Sequence, residues 1–417
     1  MKQRMAHVIL PLALTIFGAM LRMVRRLAPR PRPARPQCEM LLTGAFQSDA
    51  WISHHLLPLS RSGACARVTM VAASPMAGAE KVHVVCPPDW LVRIAGSATA
   101  RLMVFAMLAV RTRPDIVGGF HLLFNGLAAA LIAPLVGARS LYLCVGGPME
   151  VVDGGIWAEN KVFNLLKTPS PRIEHLLVGL IAECDIIVTM GTKAAVFMRE
   201  RGVKSEIHVI PGGLDAREYA PSGRAPTRDV VFVGRLAPIK RLDLLLGAIA
   251  LARRNHPDIS VAIVGDGPLR APLERMAGDL GLAANVVFEG HRSDVSNLLT
   301  EARIFVLTSD TEGVSLSVME ALACGVPAVV SNVGDLADIV VDGRNGFLVN
   351  ERTPEAFAAR ISEMLSDEPR RQRFAREARL AASRYETGAI TGCWDVVLGT
   401  PASGDAPAPA LGGPASV

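Results

Sequence analysis

The stretch SDTEGVSLSVMEALACGVP, residues 309–327, carries two carboxylates, Glu312 and Glu320, with seven residues between them and a glycine-containing turn after the first. Carboxylates accept hydrogen bonds from paired hydroxyls, so one suits a ribose diol and the other a hexose. The backbone N–H groups of Gly313, Val314, Ser315 and Leu316, read as the passage from a strand into a helix, add donors for an anion or a sugar. Ser317-x-x-Glu320 also matches a capping box, so Glu320 has a second reading as a helix-start device. Two cations stand upstream in VGRLAPIK, where Arg235 follows Gly234 and Lys240 precedes a leucine-rich helix. With that helix's N-terminus they form a cradle for a diphosphate, Arg through its two-pronged donors and Lys as a point charge. Gly265 and Gly267 in GDGPLR make a tight turn where backbone can approach a ligand; alone, a G-x-G is also simply a turn.

These residues need a scaffold that brings them to one rim. From residue 38 onward, short apolar β-branched runs alternate with patterns of period 3.6. The strands expected in the first half are EMLLTG, RVTMVA, VHVVCP, DIVGGF, SLYLCVGG, CDIIVTM and SEIHVIP. The second half gives DVVFVG, SVAIVG, NVVFEG, RIFVLTS, PAVVSN and GFLVN. Strands without polar alternation, separated by helices, predict parallel sheets covered on both faces. The fold class read from this is α/β, with two Rossmann-like doubly wound domains, 37–212 and 213–380, and a Pro/Gly-rich seam at 211–229. A helix over 381–399 is expected to pack back on the first domain, and the Ala/Pro/Gly tail 400–417 to be disordered. Ligands of such sheets bind at the C-terminal strand ends, which places GRLAPIK, GDGPLR, GHRSD and SDTEGVS on one rim.

Composition excludes several classes. Half of the 417 residues are apolar and 20% are charged, which rules out disorder for most of the chain. The formal charge is +5, yet residues 1–40 hold eight Lys/Arg against Glu39 alone, about +7, leaving the remaining residues near −2. The folded body therefore has no nucleic-acid footprint. In residues 1–36 an apolar run, Val8 to Leu21, is flanked by Lys2 and Arg4 and by Arg22, Arg25, Arg26, Arg30, Arg32 and Arg35. The run is shorter than the ~20 residues that span a bilayer, so an interfacial or signal-anchor segment on an anionic, cytoplasmic membrane face is expected, followed by a Pro/Arg linker. A mis-assigned start codon is the other reading. Seven scattered cysteines without a C-x-x-C pair read as reduced, buried thiols, and no metal site is expected.

The motifs VGRLAPIK, VGDGPLR, NVVFEG, TSDTEGVSLSVMEALACGVPAVVSNVGDLADIV and DGRNGFLV resemble the family-4 retaining glycosyltransferases of the GT-B fold, over about residues 205–366. The resemblance implies two domains facing across a cleft that closes over a nucleotide diphosphate sugar. It assigns Arg235 and Lys240 to the donor diphosphate, Glu312 and the amides of 313–316 to the transferred sugar, and Glu320 to the ribose. Gly44 in TGAFQS is the first-domain glycine turn and His121, after DIVGGF, the candidate histidine. Val314-Ser315 stands where many members have Phe-Gly, and a second common histidine is replaced at Gly146-Gly147. The implied reaction is metal- and cofactor-free hexosyl transfer with retention, to a glycan or polyprenyl-linked acceptor in exported polysaccharide synthesis, at the inner face of a bacterial inner membrane. A sugar-nucleotide epimerase or phosphorylase, or a non-catalytic nucleotide-sugar-binding protein, is the alternative. The donor base and sugar, the linkage and the oligomeric state are not legible.

Overall fold

The structure is a computed structural model and describes residues 2–33, 35–44, 51–76, 78–157, 160, 162–221, 223 and 225–399. The expected tail 400–417, and residues 45–50 of the glycine turn that begins at Gly44, lie outside them. Each of the thirteen apolar runs forms a strand, and all neighbouring strands pair in parallel. The first sheet comprises β1 (Cys38–Thr43), β2 (Cys65–Val71), β3 (Val82–Val85), β4 (Ile116–Phe120), β5 (Arg139–Cys144), β6 (Ile186–Thr189) and β7 (Glu206–Val209), in the order β3-β2-β1-β4-β5-β6-β7. The second comprises β8 (Arg228–Val233), β9 (Val261–Val264), β10 (Val286–Gly290), β11 (Ala302–Leu307), β12 (Ala328–Ser331) and β13 (Gly346–Val349), in the order β10-β9-β8-β11-β12-β13. Both orders reverse beside the first strand, between β1 and β4 and between β8 and β11. Such a reversal leaves a crevice at the C-terminal strand ends.

The described chain divides into two compact units, one running to Gly213 and resuming at Thr387, the other Leu214–Glu386. The second division point differs from the expected start of the last helix at 381. Residues 381–386 finish the second unit, where Ala382 and Tyr385 are buried in its core, and the final helix is Thr387–Gly399. That helix is tied to the first unit by Asp395, whose Oδ1 accepts from Ser62 Oγ at 2.5 Å and from Gly63 N at 3.1 Å.

The N-terminal segment, expected as an interfacial or signal-anchor stretch followed by a linker, is packed along its length on the first unit. Lys2–Leu27 is one helix of 26 residues, because Arg22, Arg25 and Arg26 continue it as good helix formers past the apolar run. Its portion Met5–Leu27 is long and apolar enough, by length and composition, to cross a membrane. One stripe of it, Ala6, Leu14 and Leu21, is buried in the first unit's core against helices Leu127–Leu135 and Pro171–Ile181. His7 Nε2 lies 3.1 Å from the Leu166 carbonyl, and Arg25 donates to Asp185 Oδ1 and to the Glu183 carbonyl, each at 2.5 Å. The linker is attached as well: Arg32 Nη2 donates to the Val136 carbonyl at 2.8 Å. If the helix is part of this fold, Leu21→Ala, at a fully buried position, lowers the unfolding free energy by about 2–5 kcal/mol in a denaturant titration.

Candidate functional site

In the second unit the chain leaves β8 through Gly234 and the exposed Arg235, then makes the single 3₁₀ turn Pro238–Lys240 before helix Leu242–Ala252. The chain leaving neighbouring β11 locks onto that turn. Buried Thr308 donates its hydroxyl to the carbonyls of Lys240 (3.0 Å) and Arg241 (2.9 Å), and Asp310 N donates to the Ile239 carbonyl at 2.8 Å. This lock brings Lys240 to Glu312: Nζ donates to Glu312 Oε1 at 2.6 Å, and Ser309 Oγ donates to the same oxygen at 2.5 Å. Glu312 is further fixed from behind by Gly334. The glycine has φ +53°, and a Cβ there would sit 1.7 Å from the Glu312 carbonyl oxygen, so only a bare backbone fits.

Gly265 and Gly267 serve the same end at the next strand. A Cβ on Gly265 would lie 2.0 Å from the Gly234 carbonyl oxygen, and one on Gly267 2.5 Å from that of Leu236. The GDG turn therefore presses its backbone against the loop that carries Arg235. On the rim, Arg241 and Arg352 share the carboxylate of Asp310, at 3.2 and 3.1 Å.

Glu320 is held elsewhere. Helix Leu316–Ala323 starts one residue after Ser315, which makes no side-chain cap bond, so Ser317 lies inside the helix and the capping-box reading of Glu320 is replaced. The buried Glu320 accepts from the phenol of Tyr219 at 3.2 Å. Burial and then the charge of Glu320 push that phenol's pKa well up, keeping it a donor. Ser315 sits at φ −78°, a conformation that needs no glycine, so the departure at Val314-Ser315 imposes no backbone strain. The amides of Gly313, Val314 and Ser315 precede the helix and donate to no backbone acceptor among the described residues. They are open to an anion or a hydroxyl.

The first unit holds a second polar constellation. His121 follows β4 at φ +62°, a left-handed conformation uncommon for a residue with a side chain. Its Nδ1 lies 3.0 Å from Oε1 of the buried Glu150. Glu150 also accepts from the amides of Gly146 and Leu122, both at 2.7 Å, and from the Tyr142 phenol at 2.9 Å. Burial alone would raise the Glu150 pKa, but the charge and hydrogen bond of His121 and the two amides outweigh it and hold the carboxyl below its ordinary value. Burial would lower the imidazole, and Glu150 outweighs it, leaving His121 raised. Gly44, at the end of the paired strand β1, gives its carbonyl to Arg101 Nη1 at 3.0 Å, while Arg101 Nη2 donates to Asn125 Oδ1 at 2.8 Å.

Sequence reasoning did not single out Glu150, Thr308, Ser309, Tyr219 or Gly334. Glu150 stands in GGPME, six residues after the end of β5, where only the fold shows what it faces. Among the described residues, no group of three His, Cys, Asp or Glu side chains is placed to hold a metal ion.

Residues 220–381 match the family model described as glycosyl transferases group 1. The group 1 segment contains both glutamates, Arg235 and Lys240. Among curated relatives, the GDP-mannose-dependent alpha-(1-6)-phosphatidylinositol monomannoside mannosyltransferase of Mycolicibacterium smegmatis is 34% identical over 223 residues, 49% of this chain and 58% of that protein. The D-inositol 3-phosphate glycosyltransferase of Mycolicibacterium gilvum is 35% identical over 181 residues, 39% of this chain and 40% of that one. The chain spans about half the length of the curated relatives it matches. Among solved structures, Anabaena HepE, in complex with UDP and glucose, aligns with a TM-score of 0.68 at 17% identity over 87% of this chain and 100% of its own. The sucrose-phosphate synthase of Thermosynechococcus elongatus gives 0.70 at 17% identity, over 85% and 96%. These likenesses establish the fold: two parallel-sheet Rossmann-like domains of the GT-B type.

Three substitutions test the local geometry. Gly334→Ala is expected to cost about 2 kcal/mol or more of stability, from a Cβ forced onto Glu312. Gly343→Ala, at φ +73° with open space around it, should cost about 1 kcal/mol; denaturant titrations compare the two. Glu150→Gln should move the His121 titration downward, followed by NMR, since burial is then unopposed. His121, raised in the fold, stabilises below its ordinary pKa of about 6.5 and loses that effect as pH rises through its folded value. Glu150, depressed, stabilises above about 4.3 and loses it as pH falls through its folded value. The stability gap between wild type and variant should therefore peak between about pH 4.5 and 6.5 and shrink outside that window.

Proposed function

We propose that the protein is a retaining, metal-independent hexosyltransferase that takes its sugar from a nucleotide diphosphate donor. The observation that carries this reading is Lys240 meeting Glu312 at 2.6 Å across the β8/β11 reversal, followed in the chain by the amides of 313–315, which donate to no backbone acceptor among the described residues. A diphosphate leaving group demands concentrated positive charge where its oxygens develop. Lys240, Arg235 and the amides at the start of helix Leu316–Ala323 supply it. Lys240 and Glu312 neutralise each other at 2.6 Å. Donor binding exchanges that pair, Lys240 turning to phosphate and Glu312 to hydroxyls of the sugar, while Glu320 takes the ribose. The bond from the anomeric carbon to the diphosphate breaks and the acceptor oxygen bonds on the same face, with the departing phosphate oxygen taking the acceptor proton. In the first unit, Glu150 orients the His121 imidazole through its Nδ1, and we assign this pair a hydrogen-bonding role toward substrate.

The acceptor we propose is a glycan or polyprenyl-linked lipid used for an exported polysaccharide, met at the cytoplasmic face of a bacterial inner membrane. The phosphatidylinositol monomannoside in the name of the Mycolicibacterium smegmatis relative and the apolar, arginine-flanked N-terminal helix support it. A thermal-shift screen with UDP-, GDP- and ADP-sugars identifies the donor, since a ligand of the native state raises Tm in step with affinity. With that donor, Lys240→Ala and Glu312→Gln are each expected to lower the rate of donor consumption about 10²–10³-fold. Rates equal to wild type would remove the proposed mechanism.

A further inference from the structure

The N-terminal helix is apolar on the side that faces away from the body. Opposite its packed stripe it exposes Val8, Leu12, Ile16 and Met23, each more than half accessible. Helix Ser97–Thr112 repeats the pattern: Arg101, Val104 and Phe105 are buried, while Met103, Met107 and Val110, at i, i+4 and i+7, are exposed. The short helix before it, Asp89–Ala95, adds exposed Trp90 and Ile94. A helix at the surface of a water-soluble protein ordinarily turns polar residues outward. These helices turn apolar ones.

They also share one side of the first unit. Right-handed crossovers β3→β4 and β4→β5 place helices Ser97–Thr112 and Leu127–Leu135 on the same face of the sheet. Helix Leu127–Leu135 bridges the other two: Ala128 and Ile132 pack toward Ser97–Thr112, and Leu127 and Leu131 belong to the cluster of the N-terminal helix. Its exposed Leu135 lies between them in the layer. Across these three helices and Asp89–Ala95 the one acid is the exposed Asp89, whereas Arg22, Arg26, Arg93, Arg111 and Arg113 are all exposed.

We propose that this side of the first unit is a monotopic docking face for an anionic lipid bilayer, with the N-terminal helix lying in the membrane plane and the Trp90–Val110 helical pair as a second point of insertion. The inference deepens the membrane reading above and rests on it. The in-plane setting follows from the helix being held near both ends, by His7 on the Leu166 carbonyl and by Arg25 on Asp185, with its packed stripe in the core between. A spanning helix would have to break all of these. A second copy of the chain is the poorer occupant, because a two-fold contact would set five exposed arginines against the same five with only Asp89 to meet them. Phosphate headgroups meet arginine directly, and the apolar stripes reach the acyl boundary.

The test is co-sedimentation of the full chain with vesicles of phosphatidylglycerol and phosphatidylcholine, and with phosphatidylcholine alone. Wild type should bind the anionic vesicles at least about tenfold more tightly, and this preference should fall with salt. M103Q/M107Q/V110Q and V8Q/L12Q/I16Q should each weaken binding about tenfold or more. All six positions are exposed, and an unchanged Tm and circular dichroism verify the fold. The wild-type minus Trp90→Phe emission should shift to the blue on anionic vesicles and be quenched by brominated lipid. If the V8Q/L12Q/I16Q variant loses binding while M103Q/M107Q/V110Q binds like wild type and Trp90 does not respond, the two-point face is wrong and an N-terminal anchor alone remains. No binding of wild type to anionic vesicles would overturn both. A lipid-free dimer dissociated by M103Q/M107Q/V110Q would put a second copy in place of the bilayer.

Discussion

The second unit depends on one ion pair. Lys240 and Glu312 meet at 2.6 Å with about a fifth and a tenth of their side chains exposed. A pair this shielded contributes little net stability, because desolvation takes back most of its Coulombic gain, but losing one partner strands the other. Its surroundings are built to fix geometry: Thr308 under the lysine's loop, Ser309 on the carboxylate, and Gly334 behind the glutamate's backbone. Preorganised charge of this kind is what a departing diphosphate requires, since the groups need not reorient as the bond breaks.

The first unit solves a related problem by other means. Glu150 is buried with four donors directed at it, so it keeps its charge, which acts on the half-exposed His121 and raises its pKa. His55, by contrast, is buried against Trp51, with ring centroids 4.3 Å apart, and burial followed by the charges of His54 and His121 takes its pKa down to about 3. Two histidines near the same strand end thus have opposite fates, decided by whether a carboxylate lies within reach. His54 is structural: its Nδ1 meets the carbonyl of Gly213, the last residue before the chain enters the second unit.

Much of this was legible in the sequence. Thirteen apolar runs gave thirteen strands, because parallel strands covered on both faces need no polar alternation and their flanking Gly and Pro mark the ends. The glycines of GDGPLR read only as a turn, and the structure adds their reason, the close approach to the Gly234 and Leu236 carbonyls. Three things lay out of reach. Thr308 and Ser309 look like any strand end until β8 and β11 are known to be neighbours. Glu320 fitted a capping box because spacing cannot reveal where a helix starts. The N-terminal helix looked detachable, since nothing local announces that Leu14 and Leu21 find partners on a helix some 160 residues later.

The central claim is that Lys240 exchanges Glu312 for the diphosphate of a nucleotide. Isothermal titration of the wild type and of Lys240→Met with nucleoside diphosphates and the matching monophosphates tests it directly. The account predicts that wild type binds the diphosphate at least about tenfold more tightly than the monophosphate, and that Lys240→Met abolishes most of this difference. Equal affinities in the wild type, or a preference for diphosphate that survives without the lysine, would contradict it.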